Sequence, residues 1–234
     1  MASDAAKSSG ASTSVAMDPQ VFADVVAGVF AMPGKTAIRT IRVQWVSRGI
    51  ANEACGGRNT GTDPNITWAR YDQSRYASLE LIADKGLTEE EPWDNGKVGL
   101  GKCVNKVLPS FFKWYNLQGD PWVGEVDAAA QAASVKATHA GTRKCLAGKS
   151  GLEVDVTDPT STYLSNVDYA LSRTPARKMK AEQKRFSDIY VQCTGNYFAA
   201  LEKELTPRRE RLTERNRELL QRFAVELSAA GYVP

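Results

Sequence analysis

Apolar residues recur at three- and four-residue intervals over most of this chain, and prolines preceded by Asp or Thr punctuate them. Val21, Phe22, Val25, Val26, Val29 and Phe30 share one side of a helix that Asp18-Pro19 opens and Pro33-Gly34 closes. A second core helix begins near Leu100 and carries Val104, Val107, Leu108, Phe111, Phe112, Tyr115 and Leu117, with a kink expected at Pro109. Residues 121–140 predict a helix rich in alanine, able to pack only closely against another helix or a neighbouring subunit. Residues 159–171 predict a short helix that groups Tyr163, Leu164, Val167 and Leu171. Thr174 opens a long helix with Met179, Phe186, Ile189, Tyr190, Cys193, Tyr197 and Leu201 on one side. Thr206 opens the last, with Leu212, Leu219, Leu220, Phe223 and Leu227 inward and Gly231 as its C-cap.

Six of the ten prolines follow an Asp or a Thr: at Asp18, Asp63, Asp120, Asp158, Thr174 and Thr206. Each pair predicts a helix start, because the side-chain oxygen can accept from an orphaned N–H while proline at the next position lacks an N–H and has a helical φ. Residues 36–48 fit two templates: β-branched content suits a strand, while Ile38, Ile41 and Trp45 fit a helical face, and the spacing tips toward helix. Residues 55–64 and 85–101 are Gly-rich loops by composition. Residues 66–71 and 75–82 alternate around Asp72-Gln73-Ser74 and predict a β-hairpin. The fold class is therefore mainly α, a helical-bundle core over residues 17–205 with that small β-hairpin. An Ala/Ser/Thr-rich flexible N-terminal arm over 1–16 precedes it, and a C-terminal helix and tail over 206–234 follows.

Charge changes the picture by its distribution. The net charge is +3, yet residues 173–222 hold thirteen Lys or Arg against seven Asp or Glu, and residues 35–48 hold four basic residues and no acidic one. Both stretches suit phosphate. The apolar run at 21–32 is interrupted by Asp24 and too short to span a bilayer, and residues 1–16 have no apolar core to serve as a secretory leader, so no membrane association is expected. Cys55, Cys103, Cys145 and Cys193 stand far apart with one histidine in the chain, which argues against a zinc site and reads most simply as reduced thiols of a cytosolic protein.

Catalytic motifs are weak. Gly34-Lys35-Thr36 and Gly148-Lys149-Ser150 resemble the end of a phosphate-binding loop, but Val29 and Arg143 stand where the first glycine is needed, so ordinary turns explain both. His139 has no nucleophile context and reads as a surface or helix-end residue, and Glu89, Glu90 and Glu91 as a solvated loop. No enzyme activity, cofactor or metal is expected. Basic residues beside aromatic ones, Arg70-Tyr71, Arg75-Tyr76 and Lys113-Trp114-Tyr115, are the better signal, since such pairs can neutralise phosphates while a ring stacks on a base. Snorkelling basic side chains beside core aromatics give the same pattern.

Ser172-Arg173-Thr174-Pro175-Ala176-Arg177, preceded by Asp168-Tyr169, resembles the coat proteins of flexible filamentous, potyvirus-like plant RNA viruses, in which an Asp-aromatic segment runs into a Thr-Pro-x-Arg helix start. Met17-Asp18-Pro19-Gln20, the apolar helix after it and the Ile38-to-Trp45 segment are similar to nucleoproteins of segmented negative-strand RNA viruses. The resemblance implies a protein that polymerises helically around single-stranded RNA, self-associating through its N-terminal arm and C-terminal tail, in the virion and the host cytoplasm. It also implies Asp168 as the partner of an RNA-contacting arginine. The expected backbone contacts are Arg70, Arg75, Arg173 and Arg177, with Tyr71 or Trp114 as stacking surfaces. The alternative is a cytosolic helical interaction module whose basic C-terminal region meets an acidic protein. A nucleotide-using enzyme built on Gly34-Lys35-Thr36 comes third.

Overall fold

The computed structural model describes residues 17–35, 38–56, 78–87 and 103–234, and these are mainly α-helical. The elements are α1 (Pro19–Val29), α2 (Ile38–Ala54), α3 (Leu79–Lys85), α4 (Val104–Val107), α5 (Phe111–Asn116), a π-helical turn (Gln118–Trp122), α6 (Val123–Ala130), α7 (Ala133–Ser150), α8 (Pro159–Ser172), α9 (Ala176–Arg215) and α10 (Arg217–Ala229). Among the described residues the β pairing amounts to isolated bridges from Ser78 to Gly34 and Lys35. The second strand of the expected hairpin is corrected at residues 79–82, which begin α3 behind a Ser78 cap whose hydroxyl accepts from the Leu81 N–H. The rest of the expected hairpin, and the arm at 1–16, lie outside the described residues.

Helix α1 lies at the centre of one cluster. Asp18 caps it by accepting from the Gln20 and Val21 N–H groups, and Pro19 occupies the first turn, as the sequence predicts. Helix α2 packs against it through Val43, Ser47 and Ala51, all fully buried at four-residue spacing, so a buried face overrides the β-branched content of this segment. Trp114 of α5 donates its indole N–H to the Val25 carbonyl at 3.0 Å, and Trp122 donates to Ala31 at 2.9 Å. Helix α10 closes this cluster: Phe223 stacks on Trp114 at 4.5 Å, and Glu226 accepts from the N–H and hydroxyl of Ser110 just before α5. Gly231, at φ 92, turns the chain end back in a Schellman arrangement, with Tyr232 N–H bonded to Leu227 and Gly231 N–H to Ser228. The Tyr232 hydroxyl then donates to the buried Asp24.

A second cluster is built on α9, with α6 and α7 laid antiparallel along it. The register is fixed by Glu125–Arg208, Ser134–Glu204, the Cys145–Cys193 disulfide and Lys149–Gln192. Helix α8 crosses both, and Tyr163 donates its hydroxyl to the Phe186 carbonyl at 2.9 Å. The buried side chains of the two clusters form one continuous core.

Four expectations are corrected here. Pro109 breaks rather than kinks its helix, leaving α4 and α5 as separate short pieces. Asp120-Pro121 falls inside the π-helical turn, and the alanine-rich stretch divides at residues 131–132 into α6 and α7. Thr206-Pro207 opens nothing: α9 runs unbroken through Pro207 for 40 residues, so the expected boundary at 206 sits inside a helix. The Thr206 hydroxyl donates back to the Glu202 carbonyl, and Leu205 and Leu212 anchor the helix on both sides of the proline. Finally, the cysteines are paired, Cys55–Cys103 and Cys145–Cys193, each with Cα atoms 5.5 Å apart and 48 residues of separation, rather than free thiols. The fold brings the end of α2 beside the start of α4 and the middle of α7 beside the middle of α9.

Candidate nucleic-acid interface

The corner between α8 and α9 gathers three of the sequence-predicted residues, Asp168, Arg173 and Arg177. Asp158 caps α8 by accepting from the Ser161 N–H. At the other end Thr174 donates its hydroxyl to the Ala170 carbonyl, closing α8 rather than capping α9. Pro175 is extended at φ −57 and ψ 138, which redirects the chain into α9. Asp168, Tyr169, Arg173 and Arg177 are consequently exposed on successive turns of this corner.

Tyr169 is 56% exposed, high for a large aromatic, and the Arg173 guanidinium lies 4.0 Å from its ring centroid. Arg177, Lys178 and Lys180 are exposed and make no ion pair among the described residues. Farther along, Arg185 pairs with Glu182 and lies 4.2 Å from the Phe186 ring centroid, while Lys184 pairs with Asp188. The first turn of α9 contains no acidic residue, and the helix dipole adds positive potential at that end. This surface can hold an anion chain and offer one ring face to a flat partner.

Trp114 is corrected as a stacking surface: it is 1% exposed, sealed between Phe111 and Phe223, and anchored by its indole N–H. Its neighbour Lys113 is exposed, but Tyr115 packs its ring on Phe111. Arg70, Tyr71 and Arg75 lie outside the described residues. Tyr169 was not singled out as a stacking residue by sequence reasoning; its four-residue spacing from Arg173 on a helix was the available signal.

The weaker motifs resolve into structural roles. Gly34 has φ 82 and would place a Cβ 2.6 Å from Phe198, and Lys35 pairs with Glu202 at 2.8 Å, so Gly34-Lys35 is a close-packed turn. Gly148-Lys149-Ser150 ends α7, with Lys149 bonded to Gln192. His139 is neither at the surface nor at a helix end: it is buried within α7, and its Nδ1 lies 3.2 Å from the Val156 carbonyl, to which it can donate. Among the described residues no helix is long and apolar enough to cross a membrane. No family model, curated protein or solved structure matches the chain.

Proposed function

We propose that this chain is a structural protein that polymerises along single-stranded RNA as a viral coat or nucleoprotein, gripping the phosphodiester backbone without sequence preference. The carrying observation is the α8–α9 corner, where Arg173 lies against the open Tyr169 ring and Arg177, Lys178 and Lys180 are exposed in the first turns of α9. Cations that neutralise phosphates beside a ring that stacks on bases are the combination used for single strands. A few contacts per subunit suffice, because copies aligned on one strand add their contributions and a small net charge per chain is no obstacle.

Residues 1–16 supply the bridges between copies in this reading. The chain is fastened to its own subunit as far as Tyr232, which makes the C-terminal segment a poorer bridge than the sequence suggested. The role is architectural, with no catalytic step. Two disulfides suit a virion more than the reducing host cytoplasm.

The test mixes purified, oxidised protein with long single-stranded RNA at low ionic strength, followed by electron microscopy, nuclease digestion and salt titration. Expected are filaments, protected RNA and binding that weakens steeply with salt. Protein that stays monomeric and leaves the RNA fully digestible overturns the reading, and preferential capture by an acidic polypeptide returns the interaction-module alternative.

A further inference from the structure

Helix α7 carries Lys136, Arg143, Lys144 and Lys149, all exposed, and no acidic residue from Ala133 to Ser150. Lys149 is held at the seam with α9, its Nζ donating to Gln192 Oε1 at 2.8 Å. From Gln192 the same side of α9 leads back to Lys184, about 12 Å away along the helix, and to Arg177, about 22 Å away. Asp188, between them, is taken up by Lys184. The surface around the seam is low: Gly141, Gly148, Gly195 and Ala199 are exposed, and a Cβ at any of the three glycines would meet nothing within 4 Å. In the other direction the seam reaches Glu204, bonded by Ser134, and Glu202, paired with Lys35, so the positive track ends there.

We propose that an RNA backbone held at the α8–α9 corner continues over the α7–α9 seam and onto the exposed face of α7, where Lys149 at the seam and Lys144 on that face form a second pair of phosphate contacts. This rests on the RNA reading above. Charge selects the occupant: an acid-free helix meets a polyanion, and the absence of bulky side chains between the lysines lets an extended strand lie close. The Cys145–Cys193 bond ties the seam helices together, so the two cation groups keep a fixed separation.

Binding of a fluorescent oligouridylate is followed by anisotropy across a potassium chloride series, using the full oxidised chain. The variants are Lys144→Gln/Lys149→Gln and Arg173→Gln/Arg177→Gln, with circular dichroism melts to establish that each folds like the parent. Loss of two phosphate contacts is expected to lower the steepness of log K against log salt by about 1.4 in each double variant. An unchanged slope in Lys144→Gln/Lys149→Gln, with the expected loss in Arg173→Gln/Arg177→Gln, overturns the seam and leaves the RNA reading standing. No salt-dependent binding by the parent overturns both. Displacement of the RNA by polyglutamate at matched charge also overturns the seam as a nucleic-acid track.

Discussion

The Arg173 guanidinium lies 4.0 Å from the centroid of the Tyr169 ring, one helical turn earlier on α8, while most of that tyrosine remains in solvent. The pair holds a cation and an aromatic face in fixed relation at the corner where α9 begins. Tyr169→Ala is expected to weaken oligouridylate binding by about 1–3 kcal/mol through lost stacking, with the salt slope nearly unchanged. Arg173→Gln is expected to reduce the slope by about 0.7. Anisotropy titrations at several salt concentrations separate the two, and equal slope changes in both variants would contradict the division of roles.

Each disulfide closes a loop defined by 48 residues of separation. By chain entropy, such a crosslink raises stability by about 4 kcal/mol through restriction of the unfolded chain. Cys145→Ala/Cys193→Ala and Cys55→Ala/Cys103→Ala should each lower the urea midpoint markedly, and a reductant should lower that of the parent but leave a quadruple variant unaffected. A peptide map under non-reducing conditions checks the pairing directly; four titratable thiols in the native protein would refute it.

Burial holds the Tyr163 hydroxyl well above the ordinary tyrosine range, with Arg185 pulling more weakly the other way. The folded state therefore retains this proton at a pH where the unfolded chain, near pH 10, has released it. The associated stability is fully present below about pH 10 and is lost as pH climbs toward the folded value. Tyr163→Phe should cost about 1 kcal/mol at neutral pH, for the hydrogen bond to Phe186, and should flatten the alkaline fall. Denaturant melts at neutral and strongly alkaline pH provide the check, and parallel curves for variant and parent would count against the account.

Gly34→Ala meets two obstacles: a left-handed φ of 82 and a Cβ 2.6 Å from that of Phe198. The left-handed backbone alone costs about 1 kcal/mol or more, and the clash displaces α9 or the turn. Lys35→Ala, beside it, breaks only an exposed pair and should cost under about 1 kcal/mol. Thermal melts that rank the two variants the other way would show the turn to be looser than described.

The legible part of this fold was local. Asp18-Pro19 and Asp158-Pro159 act as helix starts because the capping carboxylate and the N–H groups that donate to it lie within a few residues of each other. Thr174 and Thr206 misled because a hydroxyl can also donate, and both donate to a carbonyl four residues back, at Ala170 and Glu202. Helix α2 was ambiguous in sequence because what decides it is the face that Val43, Ser47 and Ala51 bury in the core. Pairing Cys145 with Cys193 required the antiparallel register of α7 and α9, and pairing Cys55 with Cys103 the approach of the end of α2 to the start of α4, neither of which spacing encodes. At the candidate site, Arg173 and Arg177 were legible as charge beside a helix start. Trp114 misled because an aromatic beside a basic residue, here Lys113, looks the same whether its ring faces solvent or the core.

A helix of 40 residues measures about 60 Å, longer than a small domain is wide. Helix α9 serves as a common spine, holding α8 at one end and leading into α10 at the other. A push on the α8–α9 corner therefore travels down a stiff rod toward the packing of Phe223 on Trp114, so the two ends of the spine respond together.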